Sequence, residues 1–252
     1  QPLITVSKDN GVATVTLNRP EKLNALNREM RGMFCRAMQE LGADPATAVV
    51  IITGAGRAFS AGLDLNELGV EGIRESGGVT FISVVERMEA PVIAAVNGYA
   101  IGIGCIITFC CDLIVASDRA EWRLPQVALG ILPNYGGATR LARIVGKGLA
   151  MRVAMGFPLK AEEAYRIGLA QWLVPHAELM AQALAVADHV AGLPPLAVRM
   201  VKESLNRGLD IPNIADASLV DSYRFMVLEM SEDKAEAHEA WRERRKPRFR
   251  GR

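Results

Sequence analysis

The sequence is poor in the residues from which many catalytic centres are assembled. Histidine occurs three times in 252 residues, at His176, His189 and His238. All three fall among helical spacings in the last third, where each reads as an exposed helix residue. Cysteine occurs four times (Cys35, Cys105, Cys110, Cys111), in or beside apolar runs and without metal-ligand spacing. Such cysteines read as buried thiols of a reducing compartment, and no metal is expected. An excess of one charge is missing too. With 29 basic and 28 acidic residues the net charge is +1, so no overall field draws the chain to nucleic acid or to an anionic membrane. The one basic cluster closes the sequence, from Arg242 to Arg252, and reads as a solvated tail or, in part, a phosphate contact. No uninterrupted apolar run is long enough to span a bilayer: Ala90 to Cys111 is free of charge, but Pro91, Asn97, Gly98, Gly102 and Gly104 punctuate it and Asp112 follows. No export signal opens the sequence, and a cytoplasmic location is expected.

Familiar nucleotide and hydrolase motifs are broken. Gly102-Ile-Gly104 has Ile107 where a dinucleotide fingerprint needs its third glycine. Gly146-Lys147 has Leu141 where a P-loop needs its first glycine. Ser60, within Ala58-Phe-Ser-Ala-Gly62, lacks the leading glycine of a nucleophile elbow.

What is present has a clear order. Two short β-type runs, 3–7 and 12–17, flank Asp9-Asn10-Gly11 and predict a hairpin. Helical spacing follows from Asn27 to Leu41. Ala48–Thr53, Pro91–Val96 and Leu113–Ala116 are apolar runs too short for helices, and they predict buried strands. Strand, glycine loop and helix in repetition imply an α/β fold with crossover connections. Beyond Gly136 the strand signals fade and helical spacing dominates, broken at Pro158, Pro175, Pro194 and Pro212. A helical appendage is the expectation for the C-terminal third.

Two loops carry the candidate chemistry: Gly54–Asp64 (GAGRAFSAGLD) and Asn97–Cys105 (NGYAIGIGC). Each is read as leaving a buried strand to open a helix. Free N–H groups at helix starts carry partial positive charge, so two such starts aimed at one point would bind an oxyanion.

The motifs NRPEKLNALN, ITGAGRAFSAGLDL, APVIAAVNGYAIGIGC, CDLIVAS, LPQVALGILPNYGGATRL, GLAQWLVP and ERRKPRFRGR together resemble the crotonase, or enoyl-CoA hydratase/isomerase, family over nearly the whole chain. The resemblance implies a spiral of repeated ββα units at 1–195 and a C-terminal helical trimerisation region at 196–252, assembled as a homotrimer or a dimer of trimers. It implies an acyl-CoA thioester as substrate, coenzyme A entering only as part of that substrate and no separate cofactor. The thioester oxygen would be held by the backbone N–H groups of Leu63 and Ile103. Lys22, Leu23, Ala25 and Ala61 would meet the coenzyme, Asp64, Leu65, Asn66, Gly102 and Gln126 would line the pocket, and Lys246 and Phe249 would reach a ligand from the tail.

The sequence departs from the hydratase pattern at both proton-transfer positions, which hold Ile106 and Gln126. Neither side chain exchanges a proton as a carboxylate does, which argues against two-glutamate hydration. Tyr135 and Asn134, in Pro133-Asn-Tyr-Gly-Gly137, are the polar candidates over the acyl chain, Tyr135 as proton donor or pocket wall and Asn134 as an orienting group. Glu67 and Glu71 are candidates for reaching inward, Arg123 is expected to pair with Glu121, and Asp64 is explained as a cap. Isomerisation, decarboxylation, C–C cleavage and slow hydration stay open, with decarboxylation fitting a missing base best. A catalytically silent acyl-CoA-binding protein is the alternative.

Overall fold

The computed structural model describes residues 2–67 and 82–252. The chain opens with the expected hairpin, β1 (Ile4–Asp9) and β2 (Val12–Leu17), turned at Asn10 and Gly11 with φ of 48° and 84°. Helix α1 (Arg28–Ala43) starts where Asn27 accepts a hydrogen bond from the Met30 amide at 2.8 Å, satisfying one of the orphan donors of the first turn. Then come β3 (Val49–Gly54), β4 (Ala58–Ser60), α2 (Ser83–Glu86), β5 (Val92–Val96), β6 (Tyr99–Ile101), α3 (Ile103–Cys110), β7 (Leu113–Ser117) and β8 (Glu121–Arg123). The remainder is α4 (Gly137–Val145), α5 (Lys147–Ala154), β9 (Leu159–Lys160), α6 (Ala161–Arg166), β10 (Trp172–Val174) and α7 (Leu179–Ala191), followed by α8 (Pro195–Gly208), α9 (Ile214–Glu229) and α10 (Glu232–Glu243).

The strands form two sheets in alternation. One has the order β1-β2-β3-β5-β7-β10, the other β4-β6-β8-β9. Each pass of the chain through β3-β4, β5-β6 and β7-β8 therefore adds one strand to each sheet, and the pairings between successive passes are parallel. This is the repeating ββ unit of a spiral. The long strands read as unbroken apolar runs because both faces are covered. Val50 and Ile52 face α1 with its Met30, Phe34 and Met38. Val49 and Ile51 face the other way, with Ile93 and Val115, onto Leu179, Ala183, Val186 and Ala187 of α7. Each of these large side chains contributes about 1.5–3 kcal/mol by leaving water.

Two expectations need correction. The region beyond Gly136 contains strands β9 and β10, and α7 is part of the core, so only the helices from α8 onward stand outside the sheets. The short strands β4 and β6 lie inside what the sequence presents as glycine loops, and β8 lies where no strand was expected. Three residues are too few to show alternation, and their pairing is long-range.

Candidate active site

β3 and β5 end side by side, at Gly54 and Val96, and each hands the chain to the smaller sheet before it reaches a candidate donor. The helix start at the second candidate donor is as expected: Ile103 is the first residue of α3, preceded by Gly102 at φ 57°. Its amide lies in the first turn, with no intrahelical partner and the positive end of the helix dipole behind it. The first donor differs. Leu63 opens no helix; it forms a parallel bridge with Leu26, in which the Leu26 amide donates to Gly62 O at 2.7 Å and the Asp64 amide to Leu26 O at 3.2 Å. That bridge uses the groups flanking Leu63 and turns the Leu63 N–H away from the bridge partner.

The two loops touch. A Cβ on Gly62, whose φ is 93°, would stand 2.8 Å from the Ile101 carbonyl oxygen and 3.5 Å from the Ile103 nitrogen. The Leu63 and Ile103 nitrogens are thus within about 7 Å of one another, compatible with two donors on one oxygen. Gly104 provides the second close approach, since a Cβ there would lie 2.6 Å from Ser60 O and 2.7 Å from Ser60 Cβ. A Cβ at Gly104 would push the start of α3 from the end of β4, and one at Gly62 would push its loop from the end of β6.

Three buried polar side chains hold this junction, and none stands out in the sequence as functional. Asn24 donates to Ala55 O at 2.9 Å and Ala58 O at 2.7 Å, and accepts from the Arg19 amide at 2.8 Å. Asn97 donates to Gly56 O at 2.9 Å and to the same Ala58 O at 3.1 Å. Ser60 Oγ donates to Asn24 O at 2.8 Å and accepts from the Gly62 amide at 3.2 Å. Ser60 is thereby committed to backbone and is no nucleophile. The readable signal was polar residues at the ends of apolar runs.

The remaining candidates are placed as follows. Leu23 O accepts from the Ala61 amide at 2.8 Å, which sets the segment holding Lys22, Leu23 and Ala25 beside the first donor loop. Lys22 is exposed, and Leu65 and Asn66 belong to an exposed 3-10 turn, 65–67. Asp64 is buried and accepts from Arg19 at 2.6 Å and from the Asn66 amide at 3.1 Å, so it caps that turn. The Arg19 hydrogen bond holds its carboxyl below the usual value of 3.8, and the Asn66 amide adds to the effect. Glu67 accepts from the Arg28 amide at 2.8 Å, which points it to the start of α1. Glu71 lies outside the described residues. Arg123 pairs with Glu121. Asn134 is exposed and its Oδ1 accepts from the Tyr135 amide at 2.7 Å. Tyr135, at φ 53°, is half-buried against the main core.

Lys246 and Phe249 are not brought to the donors. The tail is pinned at Arg250 and Gly251, whose amides donate to Asp233 at 2.6 and 2.8 Å. Those two residues border a cavity of about 230 Å³ with Pro45, Thr47 and Pro91, at the N-terminal ends of β3 and β5. The donors lie beyond the C-terminal ends, about a strand length, ~17 Å, away.

A family model described as enoyl-CoA hydratase/isomerase matches residues 7–252. The chain belongs to the enoyl-CoA hydratase/isomerase family. A short-chain-enoyl-CoA hydratase of Clostridium acetobutylicum is 39% identical over 251 residues, covering 96% of this chain and 95% of that protein. A 2,3-dehydroadipyl-CoA hydratase of Escherichia coli is 35% identical over 254 residues, 99% of each. The crystal structure of an enoyl-CoA hydratase from Bacillus anthracis superposes with a TM-score of 0.94 at 31% identity over 100% of both chains.

Within this enoyl-CoA hydratase/isomerase chain Ile106 and Gln126, which the resemblance sets at the expected proton-transfer positions, have distinct fates. Ile106 is 1% exposed and packs into α4: a Cβ on Gly137 would meet its Cδ1 at 2.8 Å and Pro133 Cβ at 3.2 Å. Gln126 keeps a place at the site, its Nε2 3.4 Å from where a Cβ on Gly102 would be. The thiols of Cys105, Cys110 and Cys111 offer no substitute, for burial pushes Cys110 up to about 12 and raises Cys105 and Cys111 well above their usual value.

Proposed function

We propose that this chain is an acyl-CoA-processing enzyme that stabilises a thioester enolate between the amides of Leu63 and Ile103, by a reaction that uses no pair of carboxylates. The observation that carries this reading is the contact of the two donor loops, Gly62 against Ile103, at the C-terminal ends of β3 and β5. Fixed donors favour the state in which negative charge collects on the carbonyl oxygen, and removing one such donor costs about 2.7–4 kcal/mol of barrier in a well-studied enzyme. Decarboxylation asks least of this site. The bond from the α-carbon to a carboxylate breaks, its electron pair enters the enolate facing the two amides, and carbon dioxide leaves. A proton from water or from Tyr135 then restores the thioester.

Assembly as a homotrimer or a dimer of trimers through residues 196–252 belongs to the same proposal. Large apolar side chains on and beside α8 and α9 favour it, among them Leu209, Ile214 and Met230, which are 70%, 79% and 83% exposed. In such an assembly Lys246 and Phe249 would serve a neighbouring subunit.

The test is to incubate the protein with crotonyl-CoA, a 3-enoyl-CoA and malonyl-CoA and to identify products by mass spectrometry. Product from any of them supports an enzyme. Binding of all three without product supports the alternative, a silent acyl-CoA-binding protein, which the burial of Ile106 favours. If no ester binds, the thioester reading is wrong.

A further inference from the structure

We infer that Arg19 is a positioning residue of the proposed oxyanion site, holding the Leu63 amide in place through Asp64 rather than acting on substrate. The inference rests on the two-amide reading above. Leu63 belongs to no helix and no sheet; its backbone is fixed by one isolated bridge, the two hydrogen bonds that join Gly62 and Asp64 to Leu26. Leu26 is no firmer by itself. It follows Leu23 and Asn24, both in the left-handed region at φ of 52° and 56°, in a stretch of irregular backbone. Two hydrogen bonds alone leave such segments free to slide, and a donor misplaced by about 1 Å costs up to about a hundredfold in rate.

Arg19 supplies the tie. One guanidinium nitrogen, Nη1, donates to Ala25 O at 3.2 Å on the first segment and to Asp64 Oδ2 at 2.6 Å on the second, the residues that precede Leu26 and follow Leu63. A planar guanidinium holds two acceptors at a fixed separation, which a flexible ammonium does not. The side chains of Arg19 and Asp64 are 17% and 11% exposed, so water screens this charged pair little. Arg19 is itself anchored: its amide donates to Asn24 Oδ1 at 2.8 Å, and its carbonyl accepts from the Lys22 and Asn24 amides at 3.0 and 2.9 Å. Its contact with Glu21, at 3.9 Å and on a side chain 68% exposed, adds little. Leu63 is thereby clamped from both sides, by Gly62 with Leu26 and by Asp64 with Arg19.

Isotope-edited infrared spectroscopy of butyryl-CoA labelled at the thioester carbonyl carbon, bound at saturation to the full chain, reads the donors without requiring turnover. Donors on the oxygen lower the C=O stretching frequency, and the parent is expected to show that shift. Arg19→Leu, Asp64→Leu and the double variant should each lose about half of it, one donor of two being displaced. Because the two residues act as a unit, the double variant should lose no more than either single. It also leaves no buried charge alone, which keeps the test open where a single variant fails to fold. A merely structural role would lower the melting temperature and leave the carbonyl shift at the parent's value, which overturns the assignment. Losses that add in the double variant overturn it too, since Arg19 would then not act through Asp64. So does a folded double variant that no longer binds the ester, for the pair would then be a support of the 22–25 segment. A parent that binds butyryl-CoA with no shift overturns instead the two-amide reading, and one that binds none the thioester reading.

Discussion

Ser60 shows how much of the first donor depends on a residue that never meets substrate. Its Oγ joins the Asn24 carbonyl to the Gly62 amide, both buried. Ser60→Ala leaves those groups unpaired, and the expected loss is about 1–3 kcal/mol of stability, read from urea midpoints. Asp64 predicts a pH dependence. Arg19 lowers its folded-state pKa below 3.8, so the contribution is complete above 3.8 and is lost as pH falls through the lowered value. Asp64→Asn should therefore be less stable than the parent near neutrality, and the gap should close in strong acid. At this scale the sequence was informative about backbone donors and silent about their supports. The two loops follow from glycine patterns and the choice of Leu63 and Ile103 within them from the family resemblance, whereas Asn24 and Asn97 look like ordinary turn residues until the Ala58 carbonyl is found between them.

At the level of elements, the decisive contact is α3 against β4. Gly104→Ala places a methyl group 2.6 Å from Ser60 O, and one element must give way. Displacing one donor is expected to cut turnover about a hundredfold with little change in ester affinity, measured by steady-state kinetics on whichever thioester is processed. The long strands and helix α1 were legible because their apolar periodicity spans a full window. Strands β4, β6 and β8 were not, because three residues carry no period and their partners are about 20 to 40 positions away. The error had a consequence for the site: it put both donors at helix starts, whereas only Ile103 has a helix dipole behind it.

For the whole molecule, the sheets provide one end for chemistry and another for the tail. The tail is folded onto its own α10 through Asp233 and through Arg245 with Glu236 and Glu243. The exposed apolar side chains of α8 and α9 then remain as the surface for the proposed association. Leu209→Asp combined with Met230→Asp should convert a trimer to monomers in sedimentation velocity while circular dichroism stays unchanged. Family motifs gave the assembly as an expectation; helical spacing alone gave only helices, since it does not tell an outward apolar face from one covered by the same chain.

The single carbonyl oxygen of Ala58, gripped by Asn24 from one side and Asn97 from the other, has a thermal corollary. Proposed donors that hang from the same knot as the two sheets lose their geometry only when that knot opens. Heat inactivation and the circular dichroism melt should trace one curve, and ligand capture should vanish with the last of the sheet rather than ahead of it.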